Sequence, residues 1–252
     1  MKKFTIFIIF FLLIVSLFFS CKPENKWDCF KGTGKIITEE ISLTGYDSLY
    51  ISGEMSINLI QDTTDYVLIS GGENLLAEVD ALVENGLLTL RDNNHCNWVR
   101  NYKKSNIRVD LHFSQLKKII FRKAANLFSE DTLYLDTLII SVWSKIATVD
   151  LLIDTKYAAL KLNAATGNYN LRGKTDFNYI YSIGYGNVYT DRLKAKRGYF
   201  YCNSLGKTTF WISEKLKLII LSSGNVYYRD MKPLIELEKK DYATGKILPL
   251  DS

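Results

Sequence analysis

Two histidines, His95 and His112, stand in the 252 residues, seventeen positions apart. Neither has an acidic pair at metal-ligand spacing. His95 beside Cys96 is half of a zinc site, but zinc takes four ligands and two more are missing at suitable spacing. The pair reads as a surface-loop histidine next to a cysteine. No Gly-x-Ser-x-Gly sequence offers a nucleophilic serine. Each Gly-Asn pair lies between strand-like runs and precedes no helix, so none forms a phosphate-cradling loop. Neither a metal nor a cofactor is expected.

Carboxylates are the remaining catalytic candidates. Asp150 and Asp154 could project from one corner of a stacked sheet, and Asp176 and Asp191 could sit on neighbouring coils. Glycoside hydrolysis needs two carboxyl groups held about 5–9.5 Å apart over a groove. No acidic ladder along one face emerges from the spacing. The aromatics are more suggestive. Tyr179 and Tyr199 are twenty residues apart, as are Tyr181 and Tyr201. Stacked across two coils they would form a square of exposed tyrosines. Such a square suits a sugar ring or a partner protein. It also serves as a cross-strand ladder that stabilises the sheet.

What would position these tyrosines is a repeat. From about residue 116 a small residue, an asparagine and an apolar residue recur, at Ala125-Asn126-Leu127, Gly167-Asn168-Tyr169, Gly186-Asn187-Val188 and Gly224-Asn225-Val226. The asparagines are 42, 19 and 38 residues apart, close to two, one and two units of twenty. Degenerate units stand at Ala147-Thr148-Val149 and Gly206-Lys207-Thr208. A second register runs through Leu138, Leu160, Ile180, Phe200 and Leu218, at intervals of 22, 20, 20 and 18. Ile140, Leu162, Ser182, Cys202 and Ile220 each follow two residues later. Strand side chains alternate faces, so these pairs share an apolar or small inward face. A unit of twenty residues cannot bury that face alone, and stacking such units makes a β-solenoid. Gly-Asn corners suit the left-handed backbone of tight corners. The fold expected is all-β, a right-handed parallel β-helix-like solenoid over residues 116–230.

Residues 36–115 lack the period and read as strands at Ser48–Ile51, Ser56–Gln61, Tyr66–Ser70, Leu87–Arg91 and Ile107–Phe113. They suit an N-terminal β cap, because a solenoid must cover its end edge. Helix-like spacing is confined to Asn74–Val83, between Gly71-Gly72 and Asn85-Gly86. Residues 231–252 read as a polar, loosely held tail.

The N-terminus sets an expectation for the compartment. Lys2 and Lys3 precede an apolar run from Phe4 to Phe19, shorter than the roughly twenty residues of a membrane span. A charged start, a short apolar run and a small residue at the cut describe a secretory signal peptide over residues 1–20. Ser20-Cys21 resembles the bacterial lipobox, with Phe18 where leucine is usual. That resemblance implies lipidation of Cys21, with residues 21–35 as a tether and the membrane reached through a lipid anchor. Several acyl chains hold a protein far more firmly than one. Export permits a disulfide. Cys29 and Cys96 lie in polar, turn-like stretches and are paired here, leaving Cys202 inside a strand. The whole chain carries a formal charge of +5, and removing residues 1–20 with their two lysines leaves +3. That is slight for a nucleic-acid binder. The stretch Arg192-Leu193-Lys194-Ala195-Lys196-Arg197 reads as a solvated turn between strands, and no nucleic acid is expected.

Ser52-Gly53-Glu54-Met55-Ser56-Ile57-Asn58-Leu59-Ile60-Gln61, Val67-Leu68-Ile69-Ser70-Gly71, Glu73-Asn74-Leu75-Leu76 and Gly86-Leu87-Leu88-Thr89-Leu90 together resemble the opening of the putative autotransporter adhesin, head GIN domain family. The later Gly-Asn repeats also fit, so the resemblance spans roughly residues 35–230. It implies an exported lipoprotein built as a β-helix-like solenoid with an N-terminal β element, and carries over no catalytic or ligand residue. The function expected is therefore a non-catalytic outer-membrane lipoprotein of the cell envelope, facing the periplasm or the surface. Its rigid solenoid would bind an envelope protein or a glycan. The alternative is a polysaccharide lyase or hydrolase on the same scaffold.

Overall fold

The computed structural model describes residues 32–94, 107–144 and 146–250. Strand β1 (Ile36–Ser42) leads into β2 (Ser48–Ser52), β3 (Met55–Gln61) and β4 (Tyr66–Gly72). One helical turn, α1 (Glu73–Leu76), precedes β5 (Val79–Glu84), β6 (Leu87–Asp92) and β7 (Ile107–Phe113). The helix-like window at Asn74–Val83 thus yields a single turn and then a strand. Its fate is decided by Asn85 and Gly86, whose φ angles are 50° and 79°. Two successive positive φ values make the tight turn that hairpins prefer, and they fold β5 antiparallel onto β6 with Glu84 opposite Leu87.

Strands β8 (Lys118–Phe121) and β9 (Ala125–Phe128) are short. The long strands β10 (Leu133–Val142), β11 (Ala147–Ala165), β12 (Asn168–Gly184), β13 (Asn187–Ser204) and β14 (Thr208–Ile220) follow. The chain closes with β15 (Val226–Tyr228), β16 (Leu234–Lys239) and β17 (Ile247–Pro249). From β10 to β14 successive strands pair in parallel, giving a β-solenoid of about seven turns. It has three faces. The first stacks β6, β2, β8, the later halves of β10 to β14, and β16. The second stacks β7, β3, β9, the opening residues of β11 to β14, and then β15 and β17. The third consists of the start of β10 and the middle of β11 to β14.

The inward ladder of the first face runs Leu88, Leu49, Ile119, Ile140, Leu160, Ile180, Phe200, Leu218. Every member is fully buried, and each such burial stabilises by roughly 1.5–3 kcal/mol. Leu138 is a correction: it pairs with Ala158, and Ile140 takes the place beside Leu160. The error is two residues, which keeps Leu138 on the inward side because strand parity has period two, and it is indeed buried.

Residues 36–115 supply both cap and coil. Strands β2 and β3 lie between the β6–β7 rung and the β8–β9 rung, in parallel with both. Spatial order therefore departs from chain order, and no sequence period can show it. The cap proper is antiparallel: β4 covers the edge of β7, β1 covers β4, and β5 covers β6. The expected loose tail is also corrected. Strands β16 and β17 add a last coil, paired in parallel with β14 and β15. Among the described residues no further coil covers it, and Leu237, next on the inward ladder, is 48% exposed. The basic stretch 192–197 is likewise strand rather than turn, within β13.

The Gly-Asn corners form, for a different reason than left-handed backbone. Asn126, Asn168, Asn187 and Asn225 all have ordinary φ, and of the corner glycines in these units only Gly167 is positive, at 121°. The glycines are there because coils touch. A Cβ on Gly224 would lie 2.2 Å from the Ser204 carbonyl oxygen, and one on Gly206 would lie 2.1 Å from that of Gly186. The asparagines tie coil to coil. Asn187 Nδ2 donates to Asn168 Oδ1 at 3.0 Å, and the Lys207 amide donates to Asn187 Oδ1 at 2.9 Å. The Lys246 amide likewise donates to Asn225 Oδ1 at 2.9 Å. The degenerate unit at Ala147-Thr148-Val149 joins the ladder through the Thr148 hydroxyl, which donates to Asn126 Oδ1 at 2.6 Å.

Candidate functional site

On the first face, alternation turns Ile180 and Phe200 inward and Tyr179, Tyr181, Tyr199 and Tyr201 outward. The parallel register pairs Tyr179 with Tyr199 and Tyr181 with Tyr201. Their rings stack at centroid distances of 5.5 and 5.0 Å, with planes within 7° and 15°. The square forms as the twenty-residue interval predicts, although each ring is half-buried rather than exposed. Burial is the main cause, and neighbouring tyrosines a second, that raises the Tyr179 hydroxyl above its ordinary pKa. It therefore stays a neutral hydrogen-bond donor at physiological pH.

The sequence did not single out the residues beside this square. One rung away, Lys161 Nζ lies over the Tyr179 ring, 5.7 Å from its centroid. Further along, the Arg122 guanidinium lies 5.2 Å from the centroid of Trp143, a residue 53% exposed. Such cation–ring contacts contribute about 0.5–1 kcal/mol each at exposed sites and hold the long cationic side chains in place. Together these residues line a shallow groove of about 500 Å³ with Ser141 and Asn163. Ile139, Ser141 and Trp143 share the outward parity of Tyr179 and Tyr181, and the two-residue misplacement of Leu138 kept that parity but set them one step off the level of these tyrosines.

The candidate carboxylates each have a polar partner. Asp150 accepts from Arg172 Nε at 2.9 Å, Asp154 pairs with Lys174 at 2.9 Å, and Asp176 pairs with Lys196 at 2.7 Å. Asp191 accepts from the Thr209 hydroxyl. On the third face Asp136 and Lys156 continue the series at 2.7 Å, so charge alternates from coil to coil beside a groove of about 870 Å³. The hydrogen bond and charge of Lys196 hold the Asp176 carboxyl below the usual range, and Lys156 does the same for Asp136. A glycosidase acid needs the opposite shift, upward, to carry a proton at neutral pH. The basic stretch of β13 is absorbed in the same way, with Lys196 on Asp176 and Lys194 over the Trp211 ring at 5.4 Å.

His112 is structural. Its Nδ1 lies 3.0 Å from Asp62 Oδ2, and its ring stacks on Tyr66 at 4.0 Å. Among the described residues, no three His, Cys, Asp or Glu side chains converge as metal ligands. Cys202 is a free, buried thiol, and burial pushes its pKa up to about 12. His95, the lipidation site Cys21 and the Cys29–Cys96 pair lie outside the described residues.

A family described as putative auto-transporter adhesin, head GIN domain matches residues 45–230. Three crystal structures share the fold. A putative adhesin from Bacteroides fragilis NCTC 9343 superposes with a TM-score of 0.76 at 20% identity, covering 86% of this chain and 97% of that one. A putative adhesin from Parabacteroides merdae ATCC 43184 gives 0.59 at 18%, covering 87% and 98%. A putative lipid binding protein from Parabacteroides distasonis ATCC 8503 gives 0.63 at 16%, also covering 87% and 98%. No curated protein matches the sequence.

Proposed function

This chain belongs to the putative auto-transporter adhesin, head GIN domain family, and from that premise we propose that it is a non-catalytic envelope lipoprotein whose solenoid presents its first face to a protein or a glycan. The observation that carries the proposal is the tyrosine square, two parallel stacks at 5.0 and 5.5 Å on a rigid sheet. Aromatic rings fixed by their neighbours offer apolar area and a hydroxyl donor at little entropic cost. The carboxylates that a polysaccharide-processing enzyme would use each have a partner instead: Arg172, Lys174 and Lys196 for Asp150, Asp154 and Asp176, and Thr209 for Asp191. The lipid anchor rests on the Ser20-Cys21 junction, and Cys21→Ala should leave the precursor unacylated and unprocessed.

Binding and catalysis separate in one experiment. The full chain, solubilised in neutral detergent, is passed over the producing cell's envelope, fractionated into proteins and protease-treated glycans. Retention by one fraction, lost in Tyr179→Ala/Tyr181→Ala, supports the proposal. Release of new reducing or unsaturated sugar ends from the glycan fraction contradicts it.

A further inference from the structure

The first-face groove has a charge pattern unlike the rest of the solenoid. On the third face Lys156, Lys174 and Lys196 each hold an aspartate. In the first-face groove Lys118, Arg122 and Lys161 have no carboxylate partner among the described residues, and no Asp or Glu lines the space. The outward positions of this face carry no acidic residue from β2 through β8, β10, β11 and β12 to β13. Glu236 and Glu238 of the last coil are the first. Three cations thus gather along one surface beside rings that orient two of them. Uncompensated charge in a concave site focuses the potential and attracts ligands of opposite sign. A guanidinium stacked on a ring keeps its in-plane donors free for a carboxylate or sulfate.

We propose that this groove binds an anionic glycan, its sugar rings lying on Trp143, Tyr179 and Tyr181 and its acidic groups meeting Lys118, Arg122 and Lys161. The proposal rests on the reading of the first face as a binding surface and adds the ligand's chemical class.

The test is affinity electrophoresis of the full chain in neutral detergent through gels containing polygalacturonate, chondroitin sulfate or heparin, with pullulan as a neutral polymer. Retardation by at least one anionic polymer and not by pullulan is expected, and added salt should weaken it. Arg122→Gln/Lys161→Gln should lower affinity roughly tenfold or more, as the loss of charge-assisted contacts implies. Lys156→Gln/Lys196→Gln removes the same charge from the third face and should leave affinity unchanged. Equal retardation by pullulan, lost in Tyr181→Ala, overturns the anionic class while leaving the first face a binding surface. Retardation by none of the anionic polymers overturns the inference, as does capture only by phosphatidylglycerol vesicles. An equal loss in both double variants overturns the placement in the groove.

Discussion

The ring of Tyr181 lies parallel to that of Tyr201, 5.0 Å away, while Phe200, one residue before Tyr201, meets Phe210 edge-on inside the solenoid at 5.6 Å. Neighbouring residues on one strand thus belong to two different environments, fully buried and half-buried. Phe200→Ala opens a cavity in a close-packed core and should destabilise by roughly 3–5 kcal/mol. Tyr201→Ala should cost about 1 kcal/mol, chiefly its ladder contact. Denaturant titration of both variants checks this, and equal or reversed costs would mean a register displaced by one residue.

Cys202 gives a pH dependence. An exposed cysteine thiol ionises near 9.0, and burial pushes that of Cys202 up to about 12. The native state therefore binds more protons than the unfolded state between these values, and stability must fall as pH rises through that window. Tyr46 and Tyr169, also raised by burial, add to the fall, so the contribution of Cys202 is the difference from Cys202→Ala. The variant should lose less stability between pH 9 and pH 12 than the wild type. Parallel pH profiles would count against a buried thiol.

The asparagine ladder predicts an order of costs. Asn187 both donates to Asn168 and accepts from the Lys207 amide. Asn187→Ala removes two coil-to-coil hydrogen bonds and should destabilise by about 1–2 kcal/mol. Asn225 accepts from the Lys246 amide near the end of the stack, and Asn225→Ala should cost less. Thermal or denaturant unfolding of the two variants tests the order. A larger cost at Asn225 would show that the ladder does not act through its interior bonds.

Much of the solenoid was legible because a coil covered on both sides must place a similar side chain at each level. Leu160, Ile180, Phe200 and Leu218 obey that demand, and the tyrosine pairs follow from the same interval. Legibility fails where the demand weakens. Parity alone cannot choose between Leu138 and Ile140 as the neighbour of Leu160, since both point inward. Among the described residues strands β16 and β17 are covered on one side only, so Glu236, Glu238 and Lys239 there disguise a coil as a polar tail. Strands β2 and β3 are stacked out of chain order. The cationic half of the groove was missed because Arg122, Trp143 and Lys161 come from three different coils, and only the correct register brings them together.

The central claim is that the first face, and not the acidic and basic ladder of the third, meets the ligand. Hydroxyl-radical footprinting of the full chain, with and without the envelope fraction that retains it, tests this most directly. The account predicts protection of Trp143, Tyr179, Tyr181 and Tyr201, with Tyr134 beside the third-face groove unchanged. Protection of Tyr134 while the first-face rings stay equally reactive would contradict it.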